Sequence, residues 1–227
     1  MSDGLRVELM RATPTAVLAR TLVLTAAVCG AVIVAAYHLT RDAILERERV
    51  VLERAVFAVI PAAQRMQSFA LGADGVRADG SLRPGEVAVH AGYDAGGALR
   101  GFALEGSARG YADMVRILYG YDPACGCIVA LRALQLRETP GIGDKVLSDA
   151  AFSANFRALD ARIAADGARL QHAIVTVRHG TKVDPWQIDA ISGATITSRA
   201  IGRAVNESAQ RAVPRIARFA GQFVEAP

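Results

Sequence analysis

At 227 residues the chain is long enough for one domain with a full hydrophobic core plus appendages, and its apolar content of 52% is high for a soluble protein. The net charge of +4 is modest, the arginines are scattered, and the only lysines are Lys145 and Lys182. No basic stripe interleaved with aromatic residues results, which excludes nucleic acid as a partner.

The apolar excess has a clear source near the N-terminus. Thr21–Ala36 reads TLVLTAAVCGAVIVAA without a charge, and Tyr37 closes the run with a residue type suited to a membrane interface. About 20 apolar residues cross a bilayer as a helix, and about 17 is near the lower limit. Arg20 can extend its stem to the headgroups, so the preceding TAVLA adds length. A cleaved signal peptide is the alternative, since Val34-Ala35-Ala36 resembles a small-residue cleavage site; the charged lead and the length of the run favour a retained anchor. The expected organisation is an N-terminal segment over 1–20 and a membrane helix over 21–38. Arg6, Arg11 and Arg20 before the span balance Arg41, Arg47 and Arg49 after it, so the positive-inside rule leaves the orientation open.

A juxtamembrane helix is predicted over 39–70, where Ile44, Leu45, Val51, Leu52, Ala55 and Val59 recur at helical spacing until Pro61 interrupts. Residues 71–85, rich in glycine and charge, read as a loop. The period then changes. EVAVHAGYD (86–94) and ALRGFALEG (98–106) flank a glycine turn, and MVRILYGY (114–121) and CIVALRALQLRE (127–138) flank DPACG, which predicts two β-hairpins. Helical spacing returns through Phe152, Phe156, Leu159 and Ile163 over 149–165; HAIVTVRHG (172–180) reads as a strand, and 195–210 as a helix. Helix, hairpins, helix, strand and helix in this order predict an α+β domain over 86–212, followed by a C-terminal tail over 213–227.

Three cysteines give no disulfide framework. Cys29 falls in the apolar run, and Cys125 and Cys127 in ACGC are too close for an ordinary unstrained bridge and lack the second half of a zinc site, so they read as small residues at a turn, with a local redox or metal role left open for the pair. His90, His172 and His179 have no ligand spacing, so no metal site is expected. Ser192 has no His and acid partners and SGAT is not a GxSxG elbow, which disfavours a hydrolase; no residue is given a catalytic role.

Two stretches remain unexplained by fold alone. ISGATITSRA (191–200) gathers four hydroxyls and two small residues at the start of a helix. A helix start suits phosphate or carboxylate, with Gly193 and Ala194 allowing close approach and Ser192, Thr195, Thr197 and Ser198 donating. Plain N-capping by one hydroxyl is an equal alternative. ETPGIGD (138–144) is either a surface turn or a rigid loop whose backbone approaches a flat ligand. Trp186 is either core or the wall of a ring-binding pocket.

DAISGAT (189–195) resembles the D-x-x-[ST]-G-A-T signature of the FMN-binding domain family, and ETPGIG (138–143) resembles the same family's E-T-P-G-[LI]-G. Gly110-Tyr111 followed by a hairpin and then ETPG fits the same pattern. With the single N-terminal apolar helix and the extension GATITSRAIGRAV, the chain resembles the G subunits of Rnf (Rsx) electron transport complexes; the C subunits of sodium-translocating NADH:quinone reductases share both motifs. The resemblance implies an FMN covalently bound by a phosphoester to Thr195, with Ser192, Gly193, Ala194 and Thr197 around the attachment turn. It places Glu138, Thr139, Gly141 and Gly143 against the flavin, Asp189 at the position read by the flavin transferase, and Trp186 and Tyr111 as aromatic neighbours. It further implies a membrane-anchored redox subunit of an ion-translocating ferredoxin:NAD+ oxidoreductase, not a stand-alone catalyst. Its partners would be the other membrane and flavin or iron–sulfur subunits, in a bacterial inner membrane. The N-terminus would be cytoplasmic and the flavin domain periplasmic. A membrane-tethered binding or assembly module without redox function is the rival reading.

Overall fold

A computed structural model of the chain describes residues 15–78 and 81–224; positions 1–14, which hold Arg6, Arg11 and most of the expected N-terminal segment, lie outside the described residues, as do 79–80 and 225–227. The chain divides into two units, Met1–Arg49 and Val50–Pro227.

The first unit is helical from Thr15, where α1 (Thr15–Val59) begins. Leu22, Val23, Val28, Val32 and Ile33 are all exposed on it. A helix apolar on every side buries little against protein and suits lipid. Thr21 and Thr25 hydroxyls donate back to the Val17 and Thr21 carbonyls at 3.0 and 2.9 Å, so neither polar group needs water. By length and composition α1 is able to cross a membrane.

The second unit starts with the last turns of α1. Val56 and Val59 on these turns are fully buried, with Ile60, Ala63, Ala103 and Leu118, in a small apolar cluster. The helix expected over 39–70 ends at Val59, and Pro61 explains the stop. Beyond it Arg65–Leu71 is strand β1, whose last three residues are buried. The expected loop of 71–85 contains the short strand β2 (Val76–Arg77), which pairs with β1.

Both predicted hairpins form. β3 (Val87–Tyr93) pairs with β4 (Leu99–Arg109), and β5 (Met114–Asp122) with β6 (Cys127–Gln135). With β7 (Leu159–Asp160) they make a seven-stranded antiparallel sheet in the order β2-β1-β3-β4-β5-β6-β7. The inward residues Val89, Ala91, Tyr93, Phe102, Leu104, Val115, Ile117 and Tyr119 are buried in the main core, each large one contributing about 1.5–3 kcal/mol by burial.

The core's other wall is α3 (Thr195–Arg218), whose Ile201, Ala204, Val205, Ala209, Ala212, Val213 and Ile216 are buried while Arg203, Glu207 and Arg211 are exposed. The tail expected over 213–227 is therefore helix as far as Arg218. Pro214 stands inside it, and the burial of Val213 and Ile216 outweighs the backbone bond that proline removes. Phe223 then packs edge-on against Phe69 and Phe102 at 5.3 and 4.8 Å between ring centres, closing the core.

The helix expected over 149–165 is only α2 (Ala150–Ala154). Asp149 caps its start by accepting from Phe152 N at 2.7 Å, and the Asn155 side chain takes the Phe152 carbonyl at its end, so the chain turns away. Phe152, Phe156 and Leu159 still reach the core, from α2, the turn after it and β7 respectively. Likewise the strand expected over 172–180 is the short β8 (Val175–Val177), parallel to β9 (Gln187–Asp189). Asn206 and Gln210 of α3 hold this region by accepting from Ile174 N and Leu170 N.

Candidate functional site

The chain emerges from β9 into Ala190–Ala194 and enters α3 at Thr195. Ala194 stands at the helix cap and offers no side-chain cap bond. Ser198 reaches back, donating to the Ala194 carbonyl at 2.9 Å and accepting from Ile191 N at 3.1 Å, which fixes the turn from inside. Among the described residues nothing accepts the N–H groups of Thr195, Ile196 and Thr197, and Thr195 Oγ1 makes only a long 3.5 Å contact to the Ile191 carbonyl. Of the two readings open at the sequence level, the structure removes simple side-chain capping at this cap. What remains is a helix start with free donors, a partial positive charge and a half-exposed hydroxyl. Gly193, in the left-handed region at φ 84° with open space where a side chain would be, leaves the approach to that hydroxyl clear.

The second motif meets the first. Glu138 Oε1 accepts from Tyr111 N at 3.0 Å, and its Oε2 accepts from the Thr197 hydroxyl at 3.3 Å, so one carboxylate ties the β4–β5 turn, the ETPGIG loop and α3 together. Glycines make room for it: a methyl group at Gly143 would lie 2.7 Å from Glu138 Cβ and 3.0 Å from Thr197 Oγ1, and one at Gly110 would collide with Glu138 Oε1. After Gly143 the loop winds into a short 3₁₀ segment, Gly143–Leu147.

Around these residues lies a cavity of about 400 Å³ lined by Tyr111, Glu138, Thr139, Ile142, Gly143, Gly193, Ala194, Thr195, Ile196 and Thr197. Eight of the twelve residues expected at the site are thus brought together. Gly141 is next to the cavity in sequence without lining it. Ser192 and Asp189 line a neighbouring cavity with Lys145, Asp149 and His179. Trp186 stacks on His172, 3.8 Å between ring centres, and lines neither cavity. Ile142 and Ile196, both 52% exposed, are wall residues that the motifs did not single out.

Asp189 is held by its surroundings: its carboxylate accepts from Gly180 N at 2.7 Å and lies 3.5 Å from His179 Nδ1. Its backbone is gripped by Asn155, 6% exposed, whose Oδ1 accepts from Asp189 N at 3.0 Å and whose Nδ2 donates to Asp189 O at 3.3 Å. Lys182 Nζ also donates to Asn155 Oδ1 at 3.1 Å; partial burial pushes the Lys182 ammonium below its ordinary range, with Asp189 opposing. Asn155 was missed at the sequence level. Its only signal is a polar residue within the apolar spacing FSANF.

The model of the FMN-binding domain matches residues 110–210, from the glycine beside Glu138 to the middle of α3. Residues 110–210 are thus similar to FMN-binding domains. The chain is similar to the G subunit of the ion-translocating oxidoreductase complex of Vibrio vulnificus, at 26% identity over 84% of this chain and 85% of that protein. It is also similar to the G subunit of the Na(+)-translocating ferredoxin:NAD(+) oxidoreductase complex of Acetobacterium woodii, at 32% identity over 50% of each. Most of the curated relatives are matched over only about half their length. The fold is that of Shewanella oneidensis NqrC, with a TM-score of 0.61 at 20% identity over 78% of this chain and 98% of that one.

The residues present fit an FMN. Free backbone donors and hydroxyls at a helix start suit its phosphate. The cavity is of the size that small cofactors occupy, and its wall joins Tyr111, Ile142 and Ile196 to few polar groups.

Proposed function

We propose that Thr195 carries FMN as a phosphoester on its hydroxyl, and that the chain is an electron-relay subunit of an ion-translocating ferredoxin:NAD+ oxidoreductase of the Rnf type. The observation that carries this reading is the set of unbonded N–H groups of Thr195, Ile196 and Thr197 around an accessible hydroxyl, inside a cavity bounded by both motifs. The names of the sequence relatives support the complex.

The flavin, when bound, supplies one- and two-electron chemistry. The protein's part is positional. Backbone donors at the start of α3 hold the phosphate's charge, with the helix dipole in support. Glu138 keeps the three surrounding elements in register, and Tyr111, Ile142 and Ile196 would supply the apolar wall that holds the ring. Asp189, fixed by Gly180 and Asn155, presents the turn to the modifying flavin transferase. A covalent link prevents loss of the cofactor whatever its free affinity for the cavity.

On this reading α1 anchors the chain in the bacterial inner membrane, with the N-terminus cytoplasmic and the flavin domain periplasmic. Partner subunits of the complex pack against the small residues Ala26, Ala27, Gly30 and Ala31. The boundaries are a membrane helix over 21–38 and a flavin domain over 86–212, extended by β1 and the end of α3.

The test is the intact mass of denatured protein co-produced with a flavin transferase, beside Thr195→Ala. Wild type is expected to carry one FMN less one water, and the variant none. A bare wild-type chain, with a control flavoprotein modified in the same cells, refutes the covalent reading.

A further inference from the structure

The β5–β6 turn carries a feature that the flavin site does not use. Cys125 and Cys127, read from sequence as unbridged, form a disulfide across one intervening residue. The turn explains the difference: Gly126 adopts φ 63°, a left-handed conformation open to glycine, and brings the two Cα atoms to 5.2 Å, within the ordinary range for a bridge.

This bridge adds little as a staple. The chain-entropy gain from a disulfide grows with the logarithm of loop length and is near its floor for a ring this small. The turn is also held without it. Gly126 N donates to Asp122 O at 3.0 Å, Ala124 N to Asp122 Oδ1 at 2.8 Å, and Ala161 N to Gly126 O at 3.0 Å. Cys127 pairs with Asp160 across β6 and β7.

The bridge is accessible, with Cys125 exposed. The Arg162 stem lies against the turn, where a methyl group at Gly126 would be 2.9 Å from its Cγ, while its guanidinium is held by Asp160 at 2.8 Å. The turn lies at the opposite end of β5 from Tyr111, about 26 Å along the nine-residue strand. It is therefore separate from the FMN cavity.

We propose that Cys125–Cys127 is a thiol–disulfide exchange site that accepts two electrons from a dithiol donor. One donor thiolate attacks Cys125 Sγ and breaks the S–S bond. Cys127 leaves as a thiolate and takes a proton from solvent. The donor's second thiolate then attacks the donor sulfur of the mixed disulfide and releases Cys125, which is protonated in turn. The products are two cysteine thiols and a donor disulfide, so two electrons and two protons have moved into the turn.

The test uses the full chain in detergent, oxidised in air, treated with dithiothreitol under native conditions, quenched with a maleimide in denaturant and weighed intact. One label, on Cys29, is expected before reduction and three after it. Oxidised glutathione should restore the bridge, and reduction should lower the melting temperature by at most about 5 °C, the roughly 1.6 kcal/mol of a three-residue ring at about 3 °C per kcal/mol. Three labels before reduction, a bridge that yields only after denaturation, or a fall in melting temperature well beyond that figure on reduction would each overturn the proposal in favour of absent or purely structural pairing.

Discussion

Asn155 offers a sharp test of how the attachment turn is held, because it lies outside both motifs yet grips the strand that leads into them. Asn155→Ala removes the acceptor of Asp189 N and the donor to Asp189 O, together with the bonds to Phe152 O and Lys182 Nζ. The side chain is buried, so water replaces these partners poorly. Stranding one buried donor costs about 1–3 kcal/mol, and the remaining neutral bonds add about 1 kcal/mol. A sum of roughly 2–4 kcal/mol corresponds to a fall of about 6–12 °C in melting temperature for a domain of this size, at about 3 °C per kcal/mol. The assay is thermal unfolding of the full chain in detergent, followed by circular dichroism, with the exposed Ser153→Ala as control. A second readout is the fraction of chains modified at Thr195 after a short exposure to flavin transferase, which should fall as the turn loosens. A melting shift no larger than that of the control would refute the argument that Asn155 fixes this strand.

Two further outcomes follow from the same geometry. Gly143→Ala should displace Glu138 and break its links to Tyr111 N and the Thr197 hydroxyl, costing about 1–3 kcal/mol and lowering FMN loading by intact mass; unchanged loading would show that the Glu138 clamp is dispensable. Acid should destabilise the domain below about pH 4. The Arg162 guanidinium beside Asp160 holds its carboxyl below the ordinary range, and the His90 ring and Arg116 do the same for Glu105 against the desolvation there. A depressed native value means that the unfolded chain binds more protons, so this stability is present above the unfolded values of about 3.9 and 4.3 and is lost as pH falls through the native ones. Urea melts from neutral pH down into this acid range should show the limb, and Asp160→Asn should flatten it.

Much of the fold was legible because its signals are local. The two hairpins announce themselves by β-branched runs broken by glycine turns, and α3 by apolar residues at every third and fourth position. The failures share a cause. Residues 149–165 carry helical spacing through Phe152, Phe156 and Leu159, yet Asn155 spends its side chain on the helix end and on Asp189, a partner that is distant in sequence. Pro214 marks a helix end by local rules, but the core contacts of Val213 and Ile216 carry the helix past it. The Cys125–Cys127 bridge depends on a left-handed glycine, which spacing alone does not reveal. At the site, the motifs marked the hydroxyls and the ETPGIG loop. Ile142 and Ile196 belong to the cavity because of where loop and helix meet, and no pattern within either segment shows that.

The cavity's rim bears on why a carrier would be tied down. Tyr111 is 67% exposed, and Ile142 and Ile196 are each 52% exposed, an apolar trio among the cavity's lining residues. Such residues side by side are costly in water unless something covers them. An isoalloxazine ring lying on them would cover part of that surface and leave its outer edge open. That edge is what an electron relay has to present to its neighbours in a complex. A deep enclosed pocket would hold the cofactor more tightly without a bond, but it would bury the edge through which electrons pass. On the proposed function, the phosphoester at Thr195 resolves this conflict by separating retention from enclosure: the bond keeps the flavin in place, and the shallow apolar wall needs only to orient it.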